Sequence, residues 1–518
     1  MKSLKILSLL LAAFAVGIIY SSGCGGGVDS SNVPKNLSVE PASTELLISW
    51  DGISGASSYN VYWSTSSEIT EETGNKIEGV EDTSYVHTGL RNETTYYYIV
   101  TGIKNSSESP PSEIADGTPT FSGEKDFEIS IPVNVTIADT LTEIDADIDD
   151  NIYLLLEIDN PGVIKIYKYD SEGEMYEDYG GTGSITHSTK TGGDGCYATT
   201  MIIDNDQNLL LLATCGCTDR DCQEGDRFPS IFRYLPSGEL DTSFGNEGRA
   251  DGDIDHRGRK IALDSDGNIF LSGNTLTPAD DHMFVSKYSS AGEELWKFDG
   301  DSLQNGTTGD SIMLDSEGNV LVANDNGYEI EGGGGERQFA TWKVKNDGSS
   351  LLTTFAVNGT LEPSGYQTGG LITSETNDNF VINASTGAGP LEGNQFVLRY
   401  NSNGVIDESF GNGAGRIELS EACPVDGVQP LGATEEYGGK LIGAGIVGSL
   451  ESFNGFVCIF DDTGVLDSSM FENGYYFGPE SSFPLNLTTD HLGRVIVVYW
   501  IIDTDTEMIT DIVVLRYK

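Results

Sequence analysis

The sequence predicts an all-β protein in which a small β-sandwich over residues 33–119 precedes a seven-bladed β-propeller over residues 120–518. Three observations predict it. Short strands with turn signals fill the stretch before Pro119. After it, an Asp/Gly/Asn hairpin turn followed by an apolar strand recurs, and so does an aromatic strand end with glycine four residues on.

Residues 1–24 stand apart from the fold. Lys2 and Lys5 form a basic start, and Ile6 to Ile19 an apolar run of about fourteen residues, short of the roughly twenty a spanning helix needs. Ser21, Ser22, Gly23 and Cys24 follow. Small residues ending in cysteine resemble the lipobox of bacterial lipoproteins, with Ser21 where that family usually has leucine. The resemblance implies that Cys24 is acylated and that the membrane is met only through this anchor. An ordinary signal peptide cleaved nearby is the alternative. Gly25, where enteric lipoproteins retained at the inner membrane carry aspartate, implies the outer membrane or cell surface if the source is Gram-negative. Residues 25–32 read as a flexible tether.

The chain has 518 residues, 81 acidic against 28 basic, for a formal net charge of −53. A surface this negative repels nucleic acid and anionic headgroups, so neither is an expected partner. The acid is spread along the chain, which favours solubility over a dedicated divalent-cation site. Seven cysteines are present. With Cys24 set aside, Cys196, Cys215, Cys217, Cys222, Cys423 and Cys458 form an even set suited to disulfides in an oxidising compartment. The first four lie close enough to pair among themselves, leaving Cys423 for Cys458. The competing reading of Cys215, Cys217 and Cys222 is a thiolate metal site.

In the first domain Leu46 to Trp50 is a strand ending in a large aromatic, and Tyr59, Val61 and Trp63 share one face of the next strand. Pro34, Trp50, Tyr59, Tyr62, the Leu90–Tyr96–Val100 spacing and the Ser109-to-Pro119 ending together resemble a fibronectin type III domain. The resemblance implies a β-sandwich with Trp50 between its sheets and Tyr96 at a tyrosine corner. No Arg-Gly-Asp triplet occurs, so a spacer role is expected.

The repeat follows. Acidic turns lie at Asp149–Asn151, Asp204–Asn208, Asp264–Asn268, Asp315–Asn319 and Asn377–Asn379, with weaker versions at Tyr437–Lys440 and Asp490–Arg494. Strand ends with their glycines are Tyr169/Gly173, Tyr234/Gly238, Tyr288/Gly292, Val344/Gly348, Tyr400/Gly404 and Phe460/Gly464, with Tyr517 as the seventh. Copies lie 51 to 65 residues apart, which suits four-stranded blades. The seventh unit lacks a fourth strand, and the alternating run from Phe127 to Ile137 lacks a partner. That run is expected to complete the last blade, with Pro132 tolerated on an outer edge. An eight-bladed ring with one degenerate unit and two stacked smaller domains are the rival counts. Leu240–Gly245, Ile406–Gly411 and Leu466–Met470, with the Asp-Gly-Asn turns and Arg-Tyr strand ends, resemble the delta-60 repeats of bacterial surface proteins. That resemblance implies a propeller-like fold and no particular activity.

Chemistry is sparsely signalled. The five histidines, His87, His187, His256, His282 and His491, form no zinc spacing, and neither a Gly-x-Ser-x-Gly elbow nor a phosphate loop occurs. No cofactor is expected. The repeated acidic turn admits calcium, but Asp, Gly and Asn are also what a tight hairpin turn demands. The expected function is therefore a non-catalytic, lipid-anchored cell-envelope protein whose spacer presents the propeller to a protein or glycan partner. The longer connections between second and third strands fall on one face, which makes Tyr328, Phe453 and the Cys215–Cys222 loop its candidate binding features. The alternative is an exported hydrolase or lyase acting on polysaccharide, with acids and His491 or an arginine gathered at the channel mouth.

Overall fold

The computed structural model describes residues 32–518 apart from 137–139, 159–162, 189–194, 218–226, 277–281, 301–302, 304–306, 325–327, 330–336, 358–359, 362, 364–365, 367, 375–377, 387–393, 412, 420–427, 438–439, 450–451, 469–470, 472–473, 505 and 507. Among the described residues the fold is all-β, and helix is confined to short turns such as Tyr179–Gly181. The chain divides into two compact units. The smaller comprises residues up to Val39, Ile48–Tyr85 and Tyr96–Asp116; the larger comprises Glu40–Leu47, Val86–Thr95 and Gly117–Lys518.

The N-terminal strands form two antiparallel groups. One sheet orders Lys35–Ala42, Glu45–Asp51 and Ser84–Thr88, and the other is built on Asn75–Val80, Ser58–Ser64 and Tyr96–Lys104. Leu46, Ile48 and Trp50 alternate as buried residues, and the Trp50 ring meets Tyr59 edge-on at 5.3 Å. The strand Ser58–Ser64 is buried more fully than simple alternation predicts. Tyr62 packs with Ile69 and Ile99 in a second small core, and its hydroxyl reaches Glu108 Oε1 at 2.8 Å.

In the larger unit the described residues form seven four-stranded antiparallel sheets: residues 140–188 (sheet I), 195–251 (II), 256–299 (III), 311–361 (IV), 368–418 (V), 428–480 (VI) and 482–517 (VII). In sheets I to VI strand order follows chain order. The fourth strand of sheet VII is Lys125–Thr136, which pairs with Met508–Tyr517 from the far end of the chain, with Pro132 on its outer edge. The first strands neighbour one another in succession, and that of sheet VII returns to that of sheet I. Apolar layers fill each gap, including one of Ile129, Val135, Ile144, Leu154, Ile496 and Val514 between sheets VII and I.

The acidic turns are built by their first residue. The Oδ1 of Asp204 accepts the amides of Asp206 and Asn208 at 2.9 and 2.8 Å, while Oδ2 accepts the Asn208 side-chain amide at 3.0 Å. The same pattern recurs at Asp147, Asp264, Asp315 and Asp490, where Arg494 replaces the asparagine. These carboxylates hold the turn against the backbone, which is why aspartate recurs there. Because their lone pairs are engaged by amides, EDTA is expected to leave the melting temperature within a degree or so of its untreated value. A drop of several degrees, restored by calcium, would show that the turns serve an ion.

A second device joins sheets II, V and VII to their next neighbours. Arg233 of sheet II pairs with Asp241 at 2.7 Å, lies 4.7 Å from the Phe244 ring centre, and donates to the Ser290 carbonyl of sheet III at 2.6 Å. Arg399 repeats this with Asp407, Phe410 and the Asp462 carbonyl of sheet VI. Arg516 of sheet VII repeats it with Asp126, Phe127 and the Ser171 carbonyl of sheet I. The seam is local as well as global. Lys518 N donates to Glu124 O at 2.9 Å and Ser122 N to Lys518 O at 2.8 Å, the bonds that Leu235, Gly238 and Glu239 make within one turn. Thus Ser122-Gly123-Glu124-Lys125-Asp126, with Phe127, supplies what Ser237-Gly238-Glu239-Leu240-Asp241, with Phe244, supplies in sheet II.

His187 shows the cost of this packing. It lies between Phe232, at 4.5 Å, and the Tyr234 hydroxyl, 2.6 Å from Nδ1. Burial, with Arg249 nearby, pushes its pKa down to about 4. A neutral imidazole in the folded state and pKa ~6.5 in the unfolded state mean that the unfolded chain binds the extra proton first. Its contribution is whole above pH ~6.5 and falls by about 3 kcal/mol as pH drops toward 4. The ring carbon resonances of His187 are expected to titrate near pH 4; a midpoint near 6.5 would contradict this packing.

Candidate functional site

The neighbouring first strands bring four polar side chains together. Glu143 of sheet I accepts from Lys260 of sheet III at 3.2 Å through Oε1 and from Asn486 of sheet VII at 2.9 Å through Oε2. Lys260 also reaches Thr200 Oγ1 of sheet II at 3.4 Å. The carboxylate is one-seventh exposed and compensated by a cation and an amide, so it reads as a cross-link holding four first strands. Asp145, two residues on, accepts the Ile203 and Ala146 amides at 2.9 and 2.8 Å, while desolvation in its half-buried position pushes its pKa up to about 6.

A second group lies at the starts of the first and third strands of sheet II and the first strand of sheet III, away from the Asp turns. Arg257 faces Tyr197, its guanidinium carbon 5.5 Å from the ring centre. Arg227 accepts the His256 amide through its backbone carbonyl at 3.3 Å. Arg259 reaches Asn274 Oδ1 at 3.2 Å and Asp310 Oδ1 at 3.4 Å. Sequence reasoning passed over this group. Its signal was His256-Arg257-Gly258-Arg259-Lys260, a dense basic run in a very acidic chain.

The residues singled out from sequence are placed unevenly. Cys24 and its flanks lie outside the described residues, as do Cys222 and Cys423. Cys196 and Cys215 form a disulfide spanning 19 residues between the first two strands of sheet II, a closure worth about 3 kcal/mol. Cys217 ends the strand Leu209–Cys217, and Cys458 is buried in the core between sheets V and VI. Whether Cys458 joins Cys423 falls outside the described residues.

Tyr328 belongs to a two-residue strand pairing with Arg337–Gln338. The segment 447–454, expected to be a long loop carrying Phe453, is instead a continued hairpin. Val447 faces Asn454, Gly448 faces Phe453 and Ser449 faces Ser452. Glycine and serine there still offer backbone groups to the ladder, so pairing continues to Ser449 and Ser452. His491 lies in the turn headed by Asp490, among the Asp turns. It is thus remote from the starts of the first strands.

Comparison with known proteins resolves only the N-terminal part. The fibronectin type III domain family matches residues 32–118. The tail tube protein gp17.1* of Bacillus phage SPP1 is 30% identical over 93 residues, 18% of this chain and 33% of that protein. The poly(3-hydroxybutyrate) depolymerase of Ralstonia pickettii is 33% identical over 99 residues, 19% of this chain and 18% of that protein. The chain thus spans a third or less of these relatives. Among solved structures, an Fn3-like protein from Clostridium thermocellum is 31% identical, covering 16% of this chain and 86% of its own, with a TM-score of 0.15. A family 25 polysaccharide lyase, an ulvan lyase, covers 72% of this chain and 93% of its own at 8% identity and a TM-score of 0.39, too slight a likeness to carry an argument. The family match and the buried Trp50–Tyr59 pair agree, and residues 32–118 are a fibronectin type III domain.

Proposed function

We propose that the seven sheets are the blades of a β-propeller closed by Lys125–Thr136, and that the chain is an exported cell-envelope protein anchored through Cys24. In this reading the fibronectin type III domain is a spacer, and the propeller is a non-catalytic scaffold presenting one face to a glycan or protein. The observation carrying it is the repeated sheet-to-sheet linkage: one Arg–Asp–aromatic device serves sheets II, V and VII, with Arg516 reaching sheet I. Repetition of a packing device serves a rigid scaffold. The face of the Asp turns is occupied by short capped turns, which leaves the opposite face to vary.

A polysaccharide hydrolase or lyase is the second reading, favoured by the polar group Glu143, Thr200, Lys260 and Asn486 on the first strands. One experiment addresses both. Cells expressing the whole chain are labelled with palmitate, shaved with external protease, and the purified protein is incubated with neutral and acidic polysaccharides. Labelling lost in Cys24→Ser, surface digestion, and binding without new reducing or unsaturated ends support the scaffold. Chain cleavage would transfer the assignment to an enzyme, and an unlabelled protein would remove the anchor.

A further inference from the structure

Among the cations of the larger unit, Arg233, Arg249, Arg399, Arg494 and Arg516 each hold a carboxylate within 3.2 Å. Arg227 and Arg257 differ. Both are half-buried, the Nε of each is shielded from solvent without a hydrogen-bond partner, and among the described residues neither forms an ion pair. Burial, the largest effect, lowers the pKa of Arg257; Arg259 and Arg227 lower it further, while Tyr197 and Asp310 act the other way. Among the described residues of a chain rich in carboxylates, two guanidinium groups are thus left without an ion pair, one of them over the Tyr197 ring. Leaving such donors unpaired costs free energy that an anionic ligand would recover.

We propose that Arg227, Arg257 and Tyr197 form a binding site for the anionic group of an acidic oligosaccharide, a carboxylate or a sulfate, with Arg259 beside it. The planar fork of Arg257 matches either oxyanion. Tyr197 supplies an aromatic surface next to the fork, suited to a sugar ring. The net charge of −53 selects against densely charged polyanions such as nucleic acid, because long-range repulsion acts on every phosphate. A glycan with an occasional acidic sugar among neutral ones meets only the local field, since exposed charges beyond about 8 Å are screened at physiological salt. The site lies at strand starts on the face opposite the Asp turns, and the inference rests on that face being the binding face.

The test is calorimetric titration of the full chain, carrying Cys24→Ser to keep it in solution. The probes are a uronate-containing oligosaccharide, its carboxyl-reduced neutral counterpart, and a sulfated oligosaccharide of similar length. One of the two acidic probes is expected to bind at least about tenfold more tightly than the neutral chain. Whichever binds identifies the carboxylate or the sulfate as the ligand. Arg257→Met is expected to erase that preference while leaving the melting temperature unchanged or higher, because an unpaired buried donor is removed. Arg257→Lys, which keeps the charge and loses the fork, should retain only part of it. Equal binding of acidic and neutral probes, or undiminished preference in Arg257→Met, would overturn the site and leave the scaffold reading intact. Cleavage of a probe would overturn the scaffold reading and leave the site intact.

Discussion

Arg516→Ala is expected to destabilise the larger unit by about 3–5 kcal/mol, the cost of removing one partner from a buried charge network. The side chain is 2% exposed. Its Nε and Nη2 donate to Asp126 Oδ2 at 3.0 and 2.6 Å, Nη2 also reaches the Ser171 carbonyl, and the Phe127 ring lies 4.3 Å away. Asp490, fully shielded, sits 3.6 Å from Nη1. Removing the guanidinium therefore strips a cation from two carboxylates and opens a space over Phe127. The melting temperature should fall by roughly 10 °C, at 2–4 °C per kcal/mol for a unit of this size. Arg516→Lys should recover a minor part, since it keeps the charge without the fork. The equivalent Arg233→Ala should cost less, because a short stretch of chain still joins Arg233 to Asp241, while Arg516 and Asp126 lie on strands of sheet VII held together only by their pairing. Thermal unfolding of the three variants checks the order. Equal losses for Arg233→Ala and Arg516→Ala would mean the seam is no weaker than the other gaps.

Most of the architecture was legible because its periodic signals are local. A turn headed by aspartate with a left-handed fourth residue, as at Gln207 (φ 62°) and Gly267 (φ 75°), leaves a fixed spacing in the sequence. The pairing of Lys125–Thr136 with Met508–Tyr517 was legible for another reason: an alternating run without a neighbour and a unit short of one strand imply each other. What sequence reasoning missed was finer. Ser122-Gly123-Glu124-Lys125-Asp126-Phe127 repeats the Gly turn and the Asp/aromatic device, and it was overlooked because its other half, at Arg516, lies 390 residues away. The long loop assigned to 447–454 failed because glycine and serine read as loop, while the ladder needs only backbone. The arginine group was invisible to spacing rules. Arg227, Arg257 and Tyr197 come from three separate stretches of chain, and beyond the basic run at 256–260 what sets the arginines apart is that among the described residues neither pairs with a carboxylate, a property that exists only in three dimensions.

The same linkage predicts that the joint between sheets V and VI fails through size in either direction. Phe410 is fully buried beneath Arg399, whose guanidinium carbon lies 4.5 Å from the ring centre. The ring also fills the space above Gly464, where an added Cβ would stand 2.8 Å from Phe410 Cε2. Phe410→Ala should cost about 3–5 kcal/mol, because a rigid gap between two sheets cannot collapse around the lost ring. Gly464→Val should cost a similar amount for the opposite reason. It places a branched side chain against that ring and forces φ +80° on a residue that rarely adopts it. Combining the two separates sterics from backbone strain. If crowding dominates, the introduced valine partly fills the cavity that truncation of Phe410 leaves, and the double variant is more stable than the sum of single losses by about 1 kcal/mol or more. If strain dominates, the losses add. Denaturant unfolding of the four proteins decides between them. Strict additivity would mean that glycine recurs at this position for its backbone freedom, and that the aromatic packs against it as a consequence.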